Sequence, residues 1–296
     1  MKIGIDLGGS HIAVGIVTDE LKLIAKEEKN IKFYEKNKEN IKQEIRDSIL
    51  SLINNVLGKK QIPVFAIEEI GIGVPGIVKD NIIGKCEKYG IYNWNLAEEL
   101  EEHYKLPVKI QNDALCSAKA EKEYGNLKGV NKAVYMCLGT GIGGTIVLDN
   151  NIFHSEIGHM VIRNYGKKCH CGKEGCFETY SSMRVFKEGI IELLELNKNT
   201  TSEEILEILN DKKEDKKVND YIDSYIDTLI IGISNIINII NPEIICIGGS
   251  FIYFEEILYK RLLEKNVIIK NQFKAPKIVL SKLQNIAGIL GATLIW

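Results

Sequence analysis

Three cysteines stand in the stretch Cys169-His170-Cys171-Gly172-Lys173-Glu174-Gly175-Cys176, with His159 ten residues upstream of the first. Three thiolates and one imidazole make the closed tetrahedral set of a structural zinc site, whereas a catalytic site keeps a position open. Gly172 and Gly175 let the loop turn. His170 is a rival fourth ligand to His159, but its place between two of the cysteines tends to aim it elsewhere. The other four of the seven cysteines, Cys86, Cys116, Cys137 and Cys246, are scattered in mostly apolar surroundings. That is the distribution of reduced, buried thiols rather than of a disulfide framework.

A second chemistry resides in three glycine segments. Asp6-Leu7-Gly8-Gly9-Ser10 sets a carboxylate at a strand end beside residues whose bare backbone N–H groups can approach an anion. That carboxylate could hold magnesium. Leu138-Gly139-Thr140-Gly141-Ile142-Gly143-Gly144 repeats the arrangement, and Gly248-Gly249-Ser250 follows a third apolar strand. Each alone is simply a tight turn; three at strand ends point to a phosphate cradle. It is neither a Rossmann fingerprint nor a Walker A loop, since both patterns are missing. Gln111-Asn112-Asp113-Ala114 places a further amide and carboxylate at a strand end. The pair reads most simply as a helix N-cap, although a carboxylate fixed there can also act as a general base.

These residues need elements to hold them. Lys2 to Asp6 and Ile12 to Thr18 are apolar strands about a glycine turn, which predicts a hairpin. Ile41, Ile45, Ile49, Leu52, Ile53 and Val56 recur at helical spacing within residues 38–58. A strand from Glu69 to Val74 ends at Pro75-Gly76, and another from Val108 to Gln111 leads into a helix just beyond Asp113. The second half repeats this grammar: a strand Ala133 to Leu138, a glycine loop Gly139 to Gly144, and a returning strand Thr145 to Leu148. Two similar hairpins predict two similar lobes. Residues 196–222 read as surface helices joined by a polar loop from Asn210 to Lys217, Ile226 to Ile240 as an apolar helix, Ile244 to Ile247 as a buried strand, and Ile286 to Ile295 as a closing helix of small residues. Strands alternate with helices throughout, as in the α/β and α+β classes.

In this order the motifs resemble the actin-like ATPase superfamily, and specifically its ROK family of bacterial sugar kinases and sugar-responsive repressors. The resemblance runs through the terminal Asn285-Ile286-Ala287-Gly288-Ile289-Leu290-Gly291-Ala292. It implies an α/β, two-lobed actin-like ATPase (ribonuclease H-like) fold with a central cleft. The lobes are then residues 1–113, joined by the helix 283–296, and residues 114–282, which carry the zinc loop. It implies ATP and Mg2+ at Asp6, Gly8, Gly9, Ser10, His11, Gly139, Thr140, Gly141, Gly143, Gly248 and Gly249. It makes Asp113 the base that takes the proton from a primary sugar hydroxyl, with Gly76, Asn112, Asp113, Glu156, His159 and Glu178 on the sugar side. The family's C-x-C-G-x-x-G-C-x-E signature pairs with an upstream Gly-His, which favours His159 with Cys169, Cys171 and Cys176 as the zinc set. Zinc would then fix the loops carrying Glu156 and Glu178, so its loss is expected to loosen the sugar pocket before it touches nucleotide binding.

Where the chain departs from the family, Thr145 replaces a common glycine and His11 a common lysine or threonine. The segment Glu87-Lys88-Tyr89-Gly90-Ile91-Tyr92-Asn93-Trp94 keeps a tryptophan but lacks the proline of many glucokinases. The resemblance therefore implies phosphorylation of a hexose at its 6-hydroxyl, with glucose as the first expectation. N-acetylmannosamine or another N-acetylhexosamine, fructose and allose are the alternatives. A non-catalytic sugar sensor is the competing class. Repressor members carry a winged helix-turn-helix ahead of the first glycine loop, and Asp6 lies too near the start to leave room for one, so an enzyme is expected.

The 296 residues suffice for two domains of ordinary size, and 45% hydrophobic with 26% charged residues is a globular composition. A net charge of −2 gives no global attraction to nucleic acid or to an anionic membrane, so any phosphate must be bound locally. No apolar run was expected to span a bilayer and no secretory h-region opens the chain, which reads as cytoplasmic. The family resemblance adds a homodimer through the larger lobe.

Overall fold

The computed structural model describes residues 1–9, 11–31, 40–86, 89–265 and 275–295. The chain divides into two compact units, Met1–Lys128 with Asn285–Trp296, and Gly129–Gln284.

In the first unit the expected hairpin forms from β1 (Lys2–Leu7) and β2 (His11–Val17), and β3 (Leu23–Asn30) extends it as an antiparallel edge. Helix α1 (Ile41–Lys60) follows, with Ile45, Ile49, Ile53 and Val56 fully buried along one stripe. Then come β4 (Glu69–Val74), a small meander of β5 (Ile77–Lys79), β6 (Ile82–Cys86) and β7 (Ile91–Trp94), helix α2 (Leu96–Tyr104), β8 (Val108–Asn112) and helix α3 (Asp113–Tyr124). The main sheet has the order β3-β2-β1-β4-β8, with β1, β4 and β8 mutually parallel. Parallel strands are covered on both faces, which is why β1 and β4 read as almost unbroken apolar runs.

The second unit repeats the plan. Strands β9 (Lys132–Leu138), β10 (Ile142–Leu148) and β11 (Asn151–Ser155) form the antiparallel part. The cysteine loop of residues 159–176, the knuckle, and helices α4 (Glu178–Ser181), α5 (Met183–Leu193), α6 (Ser202–Asp211) and α7 (Lys216–Ile240) come next, followed by β12 (Ile244–Gly248), α8 (Lys260–Lys265) and β13 (Lys277–Leu280). The sheet order is β11-β10-β9-β12-β13, with β9, β12 and β13 parallel. The repeated grammar of the sequence is thus a repeated sheet topology. A capping box at Thr201 and Glu204 starts α6, and Asp215 caps α7, so the acidic and hydroxyl residues of the polar stretch serve as helix stops and starts.

Helix α7 is longer than the apolar run suggested, because the polar face of residues 216–225 continues a buried stripe of Val218, Ile222 and Tyr225. By length and composition it is long and apolar enough to cross a membrane, contrary to the expectation, but half of its apolar window is buried inside the unit. Helix α9 (Ala287–Ala292) returns to the first unit and lies directly on the sheet. Any side chain at Gly4 or Gly71 would run into the backbone carbonyls of Ile289 and Ala292, so small residues on both partners permit the contact. The boundary expected at residue 113 differs from that of the compact units, because α3 packs against α9 and stays with the first one.

Candidate functional site

Two constellations emerge, one in each unit. In the first, Asp6, Gly73 and Gln111 are register neighbours at the carboxyl ends of β1, β4 and β8, where parallel sheets present ligand sites. The Asp6 carboxylate lies 3.6 Å from His11 Nε2. A hydrogen bond to Asp6, opposed by burial, raises the His11 pKa above its ordinary value. Gly288 is the point where α9 approaches Asp6: a Cβ there would sit 2.5 Å from the carboxylate carbon. The hairpin turn is closed by Gly8 N–H donating to His11 O at 2.9 Å. The Tyr89 hydroxyl donates to the Gly8 carbonyl. Ser10 lies outside the described residues.

Asp113 is the first residue of α3, and Asn112 is its N-cap in extended conformation. The Asn112 side chain accepts from Leu115 N–H at 3.1 Å and donates to the Gly76 carbonyl at 3.1 Å. The cap reading of Asn112 therefore holds geometrically, and its amide is engaged at both ends. Gly76 has φ of +101°, and a side chain there would meet the Lys85 carbonyl, so glycine is required by the turn itself. The Asp113 carboxylate accepts from Ala114 N–H at 2.8 Å. Cys116, one helical turn on, is fully buried, and its thiol is pushed far up by burial first and then by the Asp113 and Asp6 carboxylates. Gly73, the register partner of Asp6, brings the two acids near each other: a Cβ there would lie 3.4 Å from Asp113 Cα and from Cys116 Sγ. Sequence reasoning missed Tyr89, Cys116 and Gly288. Of these only Gly288 left a trace, as one of the small residues of the closing helix. Trp94, the tryptophan shared with the glucokinase segment, is buried in the meander and donates to Glu99 at 2.8 Å; residues 87 and 88 lie outside the described residues.

In the second unit the glycine loop is shorter than expected. Gly139 N–H donates to Gly141 O at 3.0 Å, and β10 begins at Ile142, so Gly143 and Gly144 belong to the strand, paired with Cys137 and Met136. Gly144 is needed there because the Ile157 side chain occupies the space of a Cβ. Thr140 stays in the turn, and open space surrounds Gly139 where a Cβ would stand. Gly248 is the register partner of Cys137, and Gly249, at φ +75°, leaves no room for a side chain against Leu138. Both glycine segments of this unit therefore end at one edge of its sheet.

The knuckle lies beside them. His159, Cys169, Cys171 and Cys176 each offer a ligand atom within 4.8 Å of the others. The Cys171–Cys176 sulfurs are 3.6 Å apart, and Cys169 Sγ is 3.6 Å from His159 Nδ1. Zinc–sulfur bonds of about 2.3 Å give a tetrahedron with edges of about 3.8 Å, so this donor set is compatible with a structural zinc ion. Gly172 and Gly175 have φ of +88° and +81°, as the turn requires. Burial pushes the Cys176 thiol up to about 12. His170 forms a separate group with Cys169 and Glu178; its Nδ1 is 3.4 Å from Glu178 Oε1.

The two glutamates differ. Glu156 is largely exposed, bonded to His154 Nε2 at 2.8 Å and 3.9 Å from His159 Nε2. The His154 contact, against burial, lowers its pKa. Glu178 is buried at the start of α4, and its Oε2 accepts from Ile142 N–H at 2.8 Å, beneath Gly141. One carboxylate thus joins the knuckle to the glycine turn.

Comparison with known proteins gives this geometry a context. The chain is 30% identical to a xylose repressor of Caldicellulosiruptor bescii over 98% of its length and 76% of the relative's. It is 29% identical to a glucokinase of Thermotoga maritima, covering 98% of this chain and 95% of that one. A ROK family glucokinase from Streptomyces griseus, solved in complex with glucose and AMPPNP, superimposes with a TM-score of 0.82 at 21% identity, covering 98% of this chain and 97% of that one. The fold is accordingly the two-lobed actin-like ATPase fold. Residues 2–296 match the ROK family model, and the protein belongs to the ROK family.

Proposed function

We propose that the protein is an ATP-dependent sugar kinase that phosphorylates the 6-hydroxyl of a hexose, glucose first. The observation that carries this reading is the position of Gly73: it is the register partner of Asp6 at the carboxyl ends of the parallel strands, and a Cβ there would lie 3.4 Å from Asp113 Cα and 3.4 Å from Cys116 Sγ. Phosphoryl transfer needs positioning and charge neutralisation more than covalent chemistry, and a carboxylate base, a carboxylate for a metal ion and a backbone cradle are sufficient.

In this reading Asp113 accepts the proton of the attacking hydroxyl, and its bond from Ala114 N–H fixes the carboxylate. Asn112 positions Asp113 as its cap and, through the Gly76 carbonyl, ties the β4–β5 turn to the same point. Asp6 is a hard oxygen donor that suits Mg2+, which keeps few protein ligands and takes the rest from phosphate and water. When bound, that ion neutralises charge between the phosphates. Gly8, Gly9, Ser10 and His11 form one phosphate turn and Gly139, Thr140, Gly141 and Gly143 the other, with Gly248 and Gly249 at the nucleoside. Glu156, His159 and Glu178 face the sugar hydroxyls. Zinc held by His159, Cys169, Cys171 and Cys176 supplies rigidity to that loop. A homodimer belongs to the same reading and is checked by sedimentation.

A second reading is a sugar-responsive, non-catalytic member, favoured by a similarity to the xylose repressor as high as that to the glucokinase. A coupled ATP assay over glucose, the N-acetylated hexosamines, fructose and allose separates the two. Turnover with Asp113→Asn reduced by about 10²- to 10⁴-fold is expected. Sugar binding without turnover would replace the kinase reading, and glucose turnover below that of an N-acetylated sugar would replace the substrate.

A further inference from the structure

A cavity of about 500 Å³ opens in the second unit, walled by residues 163–168 between His159 and Cys169, by α4, and by one face each of α5 and α7. That volume suits a small metabolite. None of the glycine segments lines it. Its chemistry is asymmetric. At one end stand Arg163, Lys167 and Lys168, and among the described residues no carboxylate lies within ion-pair distance of any of the three. Arg163 and Lys167 share a single support: their charged groups lie 5.0 and 5.4 Å from the centre of the Tyr180 ring. That ring is fixed, because its hydroxyl accepts from Lys167 N–H at 2.7 Å and Gly166 leaves it room. Cations gathered around one aromatic ring without a counterion repel one another until an anion joins them. From α5 and α7, Glu192 and the Ser224 hydroxyl offer partners for hydroxyl groups, while Glu188 is already held by Arg184 at 3.0 Å and the Thr228 hydroxyl donates to Tyr225 O at 2.8 Å and accepts from Ser181 Oγ at 3.1 Å.

We propose that this cavity binds a phosphate monoester of a small polyhydroxy compound, its phosphate on Arg163, Lys167 and Lys168 and its hydroxyls toward Glu192 and Ser224. The site connects to the rest of the unit through α4. Thr179 and Tyr180 line the cavity and directly follow Glu178, which holds the glycine turn; Thr179 Oγ1 also donates to the carbonyl of Cys176 at 2.7 Å. Occupancy therefore acts on the turn that Glu178 braces, to the extent that the ligand prefers one position of α4 over another.

The test is calorimetric titration of the full chain, its kinase site first saturated with glucose and AMPPNP, with glucose 6-phosphate and inorganic phosphate as separate probes. One further site per chain is expected, with inorganic phosphate weaker at the same residues and affinity falling as salt rises. Arg163→Ala with Lys168→Ala should weaken binding at least tenfold, and Ser224→Trp, which fills the cavity from an exposed helix position, should abolish it. Retained zinc and an unchanged melting curve confirm that the variants fold. Glucose 6-phosphate that fails to bind, or that binds both variants as well as the parent, would overturn the proposal. Binding is read without turnover, so this outcome and that of the kinase reading are independent.

Discussion

Glu178 was expected among the sugar ligands, yet its buried carboxylate accepts the Ile142 N–H at 2.8 Å and braces the second glycine turn. Replacing it with alanine leaves that N–H without its charged partner. A hydrogen bond to a charged acceptor contributes about 1.5–3 kcal/mol net. If the loosened turn must be ordered at each nucleotide encounter, that cost enters ATP binding, and at about 1.4 kcal/mol per decade it raises the KM for ATP by about 10- to 150-fold. Glu178→Gln keeps an oxygen acceptor and should raise it by only about tenfold or less, in line with the weaker neutral bond. The assay is coupled kinetics with each substrate varied against saturating partner, so that the two KM values separate. A Glu178→Ala enzyme whose sugar KM rises while its ATP KM stays within about twofold of the parent refutes the brace and restores a purely sugar-side role.

The same connection revises the expected effect of zinc. Metal removal with a chelator, or Cys176→Ser, should disturb Glu178 as well as Glu156, so both KM values rise together; elemental analysis of the parent should give one zinc per chain, and unfolding melts should show a loss of at least about 2 kcal/mol, the size of a broken buried network. For His11 the folded pKa is raised above the ordinary 6.5 by the Asp6 hydrogen bond. Its contribution to stability is therefore complete below that value and lost as pH rises through the raised one. Urea melts of magnesium-free protein from pH 5 upward should show this slope, and His11→Gln should flatten it. Gly288→Ala puts a methyl group against the Asp6 carboxylate and should cost about 1–3 kcal/mol. Gly58→Ala in α1, with nothing within 4 Å of the new Cβ, should instead stabilise by about 0.5–1 kcal/mol.

What the sequence disclosed followed from periodicity and from residue types with few alternative uses. The runs Ile3-Gly4-Ile5 and Ile70-Gly71-Ile72-Gly73 read as strands because both faces are buried, and the cysteine spacing implied three of the four donors that lie together in the knuckle, His159 coming from the family resemblance. The meander of β5, β6 and β7 was not read, since short strands punctuated by Asp80-Asn81 and Gly90 resemble loops and their pairing is non-local. Tyr89 could not be identified as the clamp on Gly8, because a tyrosine's partner 81 positions away leaves no local signature. The start of β10 at Ile142 was misplaced for a related reason. Glycines at 143 and 144 signal a turn locally, but one of them is there to admit the Ile157 side chain.

The repeated topology explains why the two glycine turns are braced so similarly from outside their hairpins. A carbonyl oxygen facing a phosphate is repulsive, so a turn meant to present N–H groups must have its carbonyls occupied or turned aside. In the first unit the Gly8 carbonyl is taken by the Tyr89 hydroxyl; in the second the Gly139 carbonyl is taken by Met183 N–H at 2.9 Å. Each donor comes from an element beyond the hairpin, the meander in one case and the start of α5 in the other. The two turns thus arrive at one solution by different residues. Tyr89→Phe, which deletes a single donor and conserves the ring, isolates it. By the reasoning that assigns phosphate to the first turn, the variant should weaken ATP while sparing the sugar, and an unchanged KM for ATP would separate that turn from the nucleotide.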